Sequence, residues 1–471
     1  MIIVAQFMVI LDVAIVNVAL PVIKSDLGFT QAGLEWIITA YAIVFGGFLL
    51  LGGRLADVLG RRRIFIAGIA IFTASSMLCG LSWSAGSLIG FRAVEGLGGA
   101  LLAPAGLALL MTTFPEGRER NIALGIWGAA SGSGAAVGVL LGGVLTSYLS
   151  WPWIFFINIP AGLALLVFVP RVLPATPPSE SRRHFDLAGA TSVTAAVMLL
   201  VYGLTNAPRH GWGDPLTFVP LAAAAFLAVA FVLIERHTAA PLLPLRLFRI
   251  RTLAVANVLF VIIASVAFSE FFLLTLYLQD VLGYSAVQTG LAFSAIAVTI
   301  AVVSNVAQTF VTRFGARRVL TSGLLLVVGS LALLTRLPVD GHYGVDLLPA
   351  FMLNGIGLAF CFVPVTIAGL AGVPRPDAGV ASGLVNASRQ VGGAVGLAVV
   401  NTIATSYAVN GSRSSVEAAQ LHGYHVAFVV LAGLALAGVA LAALFLGPPA
   451  EQEQPEAEAF VPEETPLKEA A

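Results

Sequence analysis

Fourteen apolar runs, each long enough to cross a lipid bilayer and each closed by a short polar loop, constrain this chain more than any other feature. They fall at roughly 2–23, 34–53, 64–83, 87–113, 121–148, 152–173, 186–206 and 215–234. The rest lie near 253–279, 287–311, 319–337, 345–371, 379–408 and 424–446. A helix crosses the hydrocarbon core with about 20 residues. Lipid offers backbone N–H and C=O groups no partner, so only helices and closed barrels span it. These Gly- and Ala-rich runs lack the alternating pattern of barrel strands. The expected class is an all-α integral membrane protein with fourteen transmembrane helices.

Composition excludes the soluble alternative. Of 471 residues, 58% are hydrophobic and 10% charged, too few charges to keep a water-facing surface solvated. The net charge is zero, so no global field recruits nucleic acid. Cys79 and Cys361 both sit in apolar stretches and say nothing of a disulfide framework. The first span has no basic residues ahead of it and so lacks the pattern of a cleavable signal.

The arginines orient the chain. With a cytoplasmic N-terminus, the inner loops hold seventeen Lys and Arg, from Arg54 and Arg61–Arg63 through Arg182 and Arg183 to Arg375. The outer loops hold only Lys24, Arg209, Arg336 and Arg413. The positive-inside rule therefore places both termini in the cytoplasm of a multi-pass cell-membrane protein. Residues 447–471, with seven Glu, read as a disordered acidic tail.

The chain also repeats itself. Ala123–Gly138 aligns without gaps on Ala381–Gly396, matching Gly125/Gly383, Gly134/Gly392 and Gly138/Gly396 at an offset of 258. Gly60-Arg-Arg-Arg63 aligns on Gly315-Ala-Arg-Arg318 at 255. The implied organisation is two six-helix halves, residues 1–173 and 252–446. Two central helices with their flanking loops are inserted between them at 174–251. Parallel halves around a cavity are a transporter layout.

A few polar residues interrupt the apolar runs. Asp12 lies near the middle of the first span, where a charge costs about 2.5–3.5 kcal/mol. It is therefore a candidate proton carrier, with a helix-packing carboxylate as the plain alternative; Asn17 is a cavity candidate on the same helix. Arg92 and Glu95 share a helix face, either as a structural pair or as a proton relay. Arg389 lies at mid-depth in its span, as a cavity charge or a helix anchor. Glu270, among Phe268, Phe271 and Phe272, suits a lipophilic cation or an interfacial belt. Gly134, Gly138, Gly142 and the adjacent Gly143 form a small-residue ladder for close helix packing and gating. In the loop GGRLADVLGRRR, Gly60 permits a turn. There Asp57 can pair with Arg61 or cap a neighbouring helix. The set Gly53, Asp57, Gly60, Arg61, Arg62 and Arg63 reads as a conformational switch.

Taken together, these motifs resemble the fourteen-span drug:proton antiporter family of the major facilitator superfamily. GGRLADVLGRRR is similar to the superfamily's loop signature, LDVAIVNVALP to the first-span motif, FRAVEGLGGA to the fourth-span motif, and WPWIFFINIPAG also fits. The resemblance implies the major facilitator fold, a proton site at Asp12 and proton transfer through Arg92. Three positions depart from the pattern. The fifth-span Gly-Pro-x-x-Gly-Gly lacks its proline at Val139, Glu95 replaces an amide, and Thr312 stands opposite Asp57 in the second loop copy.

The expected function is a polyspecific efflux pump, exchanging cytoplasmic amphiphilic drugs, including lipophilic cations, for external protons. It is expected to work as a monomer in the bilayer, without cofactor, metal or nucleic acid. The alternative is a dedicated exporter of one secondary metabolite, such as an antibiotic the host makes. Arg outnumbers Lys by 22 to 2, which suggests a high-GC bacterial genome. Enzyme motifs such as HExxH and GxSxG are absent from the sequence, as is the GxxxxGK[ST] loop of ATP-driven pumps.

Overall fold

The computed structural model describes residues 1–29, 31–34, 36–114, 118–174, 186–238, 241–409 and 416–446. The acidic segment at 447–471 and the loop residues Arg182, Arg183 and Arg413 lie outside the described residues. Fourteen long helices run through the rest. The first eight are α1 (Ile2–Leu27), α2 (Trp36–Leu59), α3 (Arg61–Gly80), α4 (Ala85–Thr113), α5 (Arg118–Tyr148), α6 (Asn158–Val172), α7 (Leu187–His210) and α8 (Pro215–His237). The last six are α9 (Arg251–Leu276), α10 (Ala286–Phe314), α11 (Ala316–Leu334), α12 (Leu348–Leu370), α13 (Ala378–Val409) and α14 (Val416–Phe445). A separate turn of helix, Trp153–Phe156, precedes α6, so the single run read at 152–173 is broken near its start.

Local chemistry sets the helix ends. Ser84 with Ser87, and Ser285 with Gln288, form reciprocal capping boxes at α4 and α10. Asp186 and Asp214 cap α7 and α8 with their carboxylates. Gly60 and Gly315, which the repeat aligns, start α3 and α11 at φ of 102° and 82°, a region side chains avoid.

Twelve helical stretches among the described residues are long and apolar enough to cross a membrane. Fourteen were read from the sequence, and α5 and α13 make the difference. They have 31 and 32 residues, ample length for a crossing at about 1.5 Å per residue. Within α5 the apolar stretch Val137–Tyr148 counts only as a shorter one, and α13 carries Asn386, Ser388, Arg389 and Gln390 in its length.

The first six helices pack as the last six do. Helix α1 lies on α4, α5 and α6, as α9 lies on α12, α13 and α14; α4 holds α2 and α3 as α12 holds α10 and α11. The aligned glycines make equivalent crossings. A Cβ on Gly138 would stand 2.8 Å from the Leu11 carbonyl oxygen of α1, and one on Gly396 would stand 2.6 Å from Ser265 Cα of α9. Gly134 and Gly142 extend this seam against Ile10 and Ile15, whereas Gly143 faces Val287 of α10. The glycine ladder thus packs two different neighbours.

Two helix pairs make the most extensive contacts between the groups, α5 with α10 and α2 with α13. They are exchanged by the same pseudo-symmetry. Helix α7 packs against both α2 and α13, while α8 rests mainly on α7. It leaves Phe218, Phe226, Val229 and Leu233 exposed, as a lipid-facing helix should.

Candidate functional site

The deepest polar cluster joins α1, α3, α4 and α6. Arg92 Nη1 contacts Asp12 Oδ2 at 2.6 Å and Glu95 Oε2 at 2.8 Å, and all three side chains are almost fully buried. Arg92 Nε donates to the Ile37 carbonyl at 3.3 Å. Its guanidinium lies 4.4 Å from the Tyr41 ring centroid and 5.7 Å from that of Phe155, a cation–π cradle. Asn158 Nδ2 donates to Asp12 Oδ1 at 3.3 Å and to Ser76 Oγ at 3.1 Å. The Cys79 thiol donates to Glu95 Oε2 at 3.5 Å, while Glu95 Oε1 is buried with no hydrogen-bond partner among the described residues.

Geometry brings these groups together from afar. Glu95 sits three residues beyond Arg92, on the same face of α4, but Asp12 is 80 residues away and Asn158 another 146 from Asp12. Cys79 is the second-last residue of α3 and Arg92 the eighth of α4. The cluster therefore lies toward the end of the bundle opposite the arginine-rich loops. Two carboxylates on one guanidinium carry one negative charge in excess, which a single proton neutralises.

The last six helices hold a different counterpart. The 258-residue offset of the repeat carries Asp12 onto Glu270. Glu270 is buried inside these helices, not at an aromatic interface, and accepts from Asn354 Nδ2 of α12 at 2.9 Å. Its Oε2, Asn354 Oδ1 and Ser269 Oγ are buried without partners among the described residues. Phe271 stacks on Phe293 at 4.3 Å, and Phe293 on Phe351 at 5.6 Å. Those rings therefore pack one another across α9, α10 and α12.

At the arginine-rich end, Asp57 makes both contacts its loop allowed. Its Oδ1 takes Arg61 Nη2 at 2.8 Å, and its two oxygens accept the Gly379 and Val380 amides of α13 at 3.0 Å each. The carboxylate caps a helix of the other half. Gly53 lies against the Gly379 backbone, where any Cβ would collide. Arg62 donates to the Leu173 carbonyl at 2.9 Å, and Arg63 is exposed. Beside this latch, Arg246 pairs with Asp377 at 2.9 Å, and Glu235 accepts the Leu242 and Leu243 amides.

Between the halves, Leu107 and Trp127 face Phe260, Phe362, Thr366 and Arg389 around a small cavity. Asn386 accepts Arg389 Nη2 at 3.4 Å. Asn17 is exposed and turns its amide onto its own helix, toward the Val13 and Ala14 carbonyls. The residues that sequence reasoning passed over are Tyr41, Ser76, Cys79, Trp127, Asn158 and Asn354. Asn158 stands inside the motif at 151–162 and was within reach of that pattern; the others carry no local signal.

Residues 2–397 match the model of the Major Facilitator Superfamily. The chain is 40% identical over 447 residues to the puromycin resistance protein pur8 of Streptomyces alboniger, covering 93% of this chain and 88% of that protein. It is equally identical, over 447 residues, to the cephamycin export protein CmcT of Amycolatopsis lactamdurans, covering 93% and 90%. The crystal structure of the human organic anion transporter MFSD10 superposes with a TM-score of 0.64 at 18% identity, covering 94% of this chain and 98% of that one. This last likeness concerns the fold alone.

Proposed function

The chain belongs to the major facilitator superfamily, and from that premise we propose that it exports drug-like amphiphilic small molecules in exchange for protons. Export accords with the resistance and export proteins it resembles at 40% identity. Proton coupling rests on one observation, the single guanidinium shared by two buried carboxylates. We read α5 and α13 as two further spans, which makes fourteen. The halves then lie at 1–173 and 252–446, with α7 and α8 inserted, and the arginine-rich end faces the cytoplasm.

In this cycle a proton from outside enters the Asp12–Arg92–Glu95 cluster and cancels its excess charge. The neutral cluster then loosens the hold of α4 on α1. On the cytoplasmic side the Asp57 cap on α13 releases, the halves part, and substrate enters as the proton leaves. Each charge moved through 100 mV contributes about 2.3 kcal/mol. One proton at about 150 mV therefore supports a substrate gradient of several hundred-fold, at about 1.4 kcal/mol per decade.

The test is substrate-dependent proton movement in proteoliposomes, with puromycin and cephamycin, wild type beside Asp12→Asn. Wild type should exchange protons for substrate and the variant should not. Continued exchange by Asp12→Asn would move the coupling site elsewhere. Both named relatives carry a single antibiotic in their names, which favours a second reading as a dedicated exporter. Response to one compound of a broad panel would select it.

A further inference from the structure

Lipophilic cations are the ligands expected of an acid among aromatic rings, but Glu270 does not face the space between the halves. It is bonded to Asn354 within the last six helices. The charged side chain that does line that space is Arg389. It comes from α13, opposite Trp127 of α5 and Leu107 of α4, with Phe260 of α9 and Phe362 of α12 completing the wall. Five helices from both halves therefore meet around one guanidinium.

Among the described residues, Arg389 has no carboxylate partner. Its hydrogen bond goes to the Asn386 side-chain oxygen, three residues back on its own helix, at 3.4 Å. Arg61, Arg92 and Arg246, by contrast, each have an acid within 3 Å. A half-buried guanidinium in a cavity wall is best satisfied by an anion or a fork of acceptors. Here the protein supplies a single side-chain oxygen, and Trp127, Phe260 and Phe362 line the same small cavity.

We propose that Arg389 is the recognition centre of the transport cavity, and that the preferred substrates are aromatic or polycyclic amphiphiles bearing a carboxylate, phenolate or equivalent acceptor group. This deepens the export reading and rests on it for the direction of transport, although not for binding. Trp127, Phe260 and Phe362 hold the ring system, and the guanidinium takes the acceptor group in bidentate fashion. A permanent cation in the same position repels the lipophilic cations that the sequence suggested. Specificity is then set by one repulsive charge as much as by the attractive one.

Binding is measured first, on the purified full-length protein in detergent, by fluorescence polarisation. Carboxyfluorescein is the aromatic anion and ethidium the aromatic cation. Wild type should bind carboxyfluorescein more tightly than ethidium. Arg389→Gln should weaken carboxyfluorescein at least tenfold and leave ethidium unchanged or tighter. Arg389→Lys should retain part of the affinity, and Trp127→Ala should weaken binding with the charge preference intact. Thermal melting of each variant checks the fold; Arg389→Gln removes no ion pair and should melt as wild type does. Tighter binding of ethidium by wild type, or equal losses of both dyes in Arg389→Gln, would overturn the proposal. The same dyes in proteoliposomes separate the two readings: carboxyfluorescein that binds through Arg389 but is never exported leaves this site standing and removes the exporter.

Discussion

Asp12 and Glu270 occupy equivalent places in the two repeats, yet the protein treats them differently. Asp12 shares Arg92 with Glu95 and takes Asn158 on its other oxygen. Glu270 has Asn354 alone, with one oxygen unpartnered. The backbone crossings around both are alike, down to the aligned glycines 138 and 396. Duplication thus preserved the scaffold and let the charges diverge. One half holds an ion-pair network that a single proton can rebalance. The other holds a lone carboxyl whose removal breaks no ion pair. In the proposed cycle this asymmetry gives proton coupling to one half, while the other contributes Arg389 to the cavity.

The strongest way to break this contrast is Arg92→Met. It strands two buried carboxylates without a cation, which costs about 3–5 kcal/mol. Its melting temperature in detergent should fall sharply, and proton exchange should vanish. A variant that melts like wild type would show that the network carries no structural weight. Next in size are Gly138→Val and Gly396→Val, made separately. Each places a branched side chain against a neighbouring backbone, at about 1–3 kcal/mol. Similar losses in the two would sharpen the claim of a shared scaffold, and a large loss in only one would break it. The smallest effect belongs to Glu270→Gln. The amide keeps the shape and can still accept from Asn354, so melting should move by less than about 1 kcal/mol equivalent. Substrate-driven proton exchange should persist, in contrast to Asp12→Asn. Loss of exchange in Glu270→Gln would make the halves functional equals.

Much of this was legible in the chain. The glycine at 60 and its copy at 315 announced two helix starts, and both adopt the positive φ that their loops require. Gly134, Gly138 and Gly142 announced a packing seam, because small residues at four-residue spacing line one helix face. The pairing of Asp57 with Arg61 and its capping of another helix were both open from the sequence, and the structure uses both at once. Glu270 was legible as an intramembrane acid, though not as one bonded to Asn354. Its phenylalanine neighbours suggested an aromatic surface, but consecutive helical residues point in different directions: Phe271 stacks on Phe293 of α10, whereas Phe268 is exposed. Arg389 was legible as a mid-span charge, though not as one without an acid beside it.

What the sequence determined by itself is what a bilayer enforces. Hydrocarbon leaves backbone groups no outside partner, so long apolar runs must become helices, and a repeated pattern of small residues must yield repeated crossings. Tertiary structure decided which charges meet. Asp12 reaches Arg92 across 80 residues, and Glu270 reaches Asn354 across 84. Spacing along one helix predicts a neighbour three or four residues away, but a partner on another helix depends on the rotation and depth at which the two helices pack. Those were fixed by the fold as a whole, and with them the difference between a charge that is paired, one that stands alone, and one left facing the cavity.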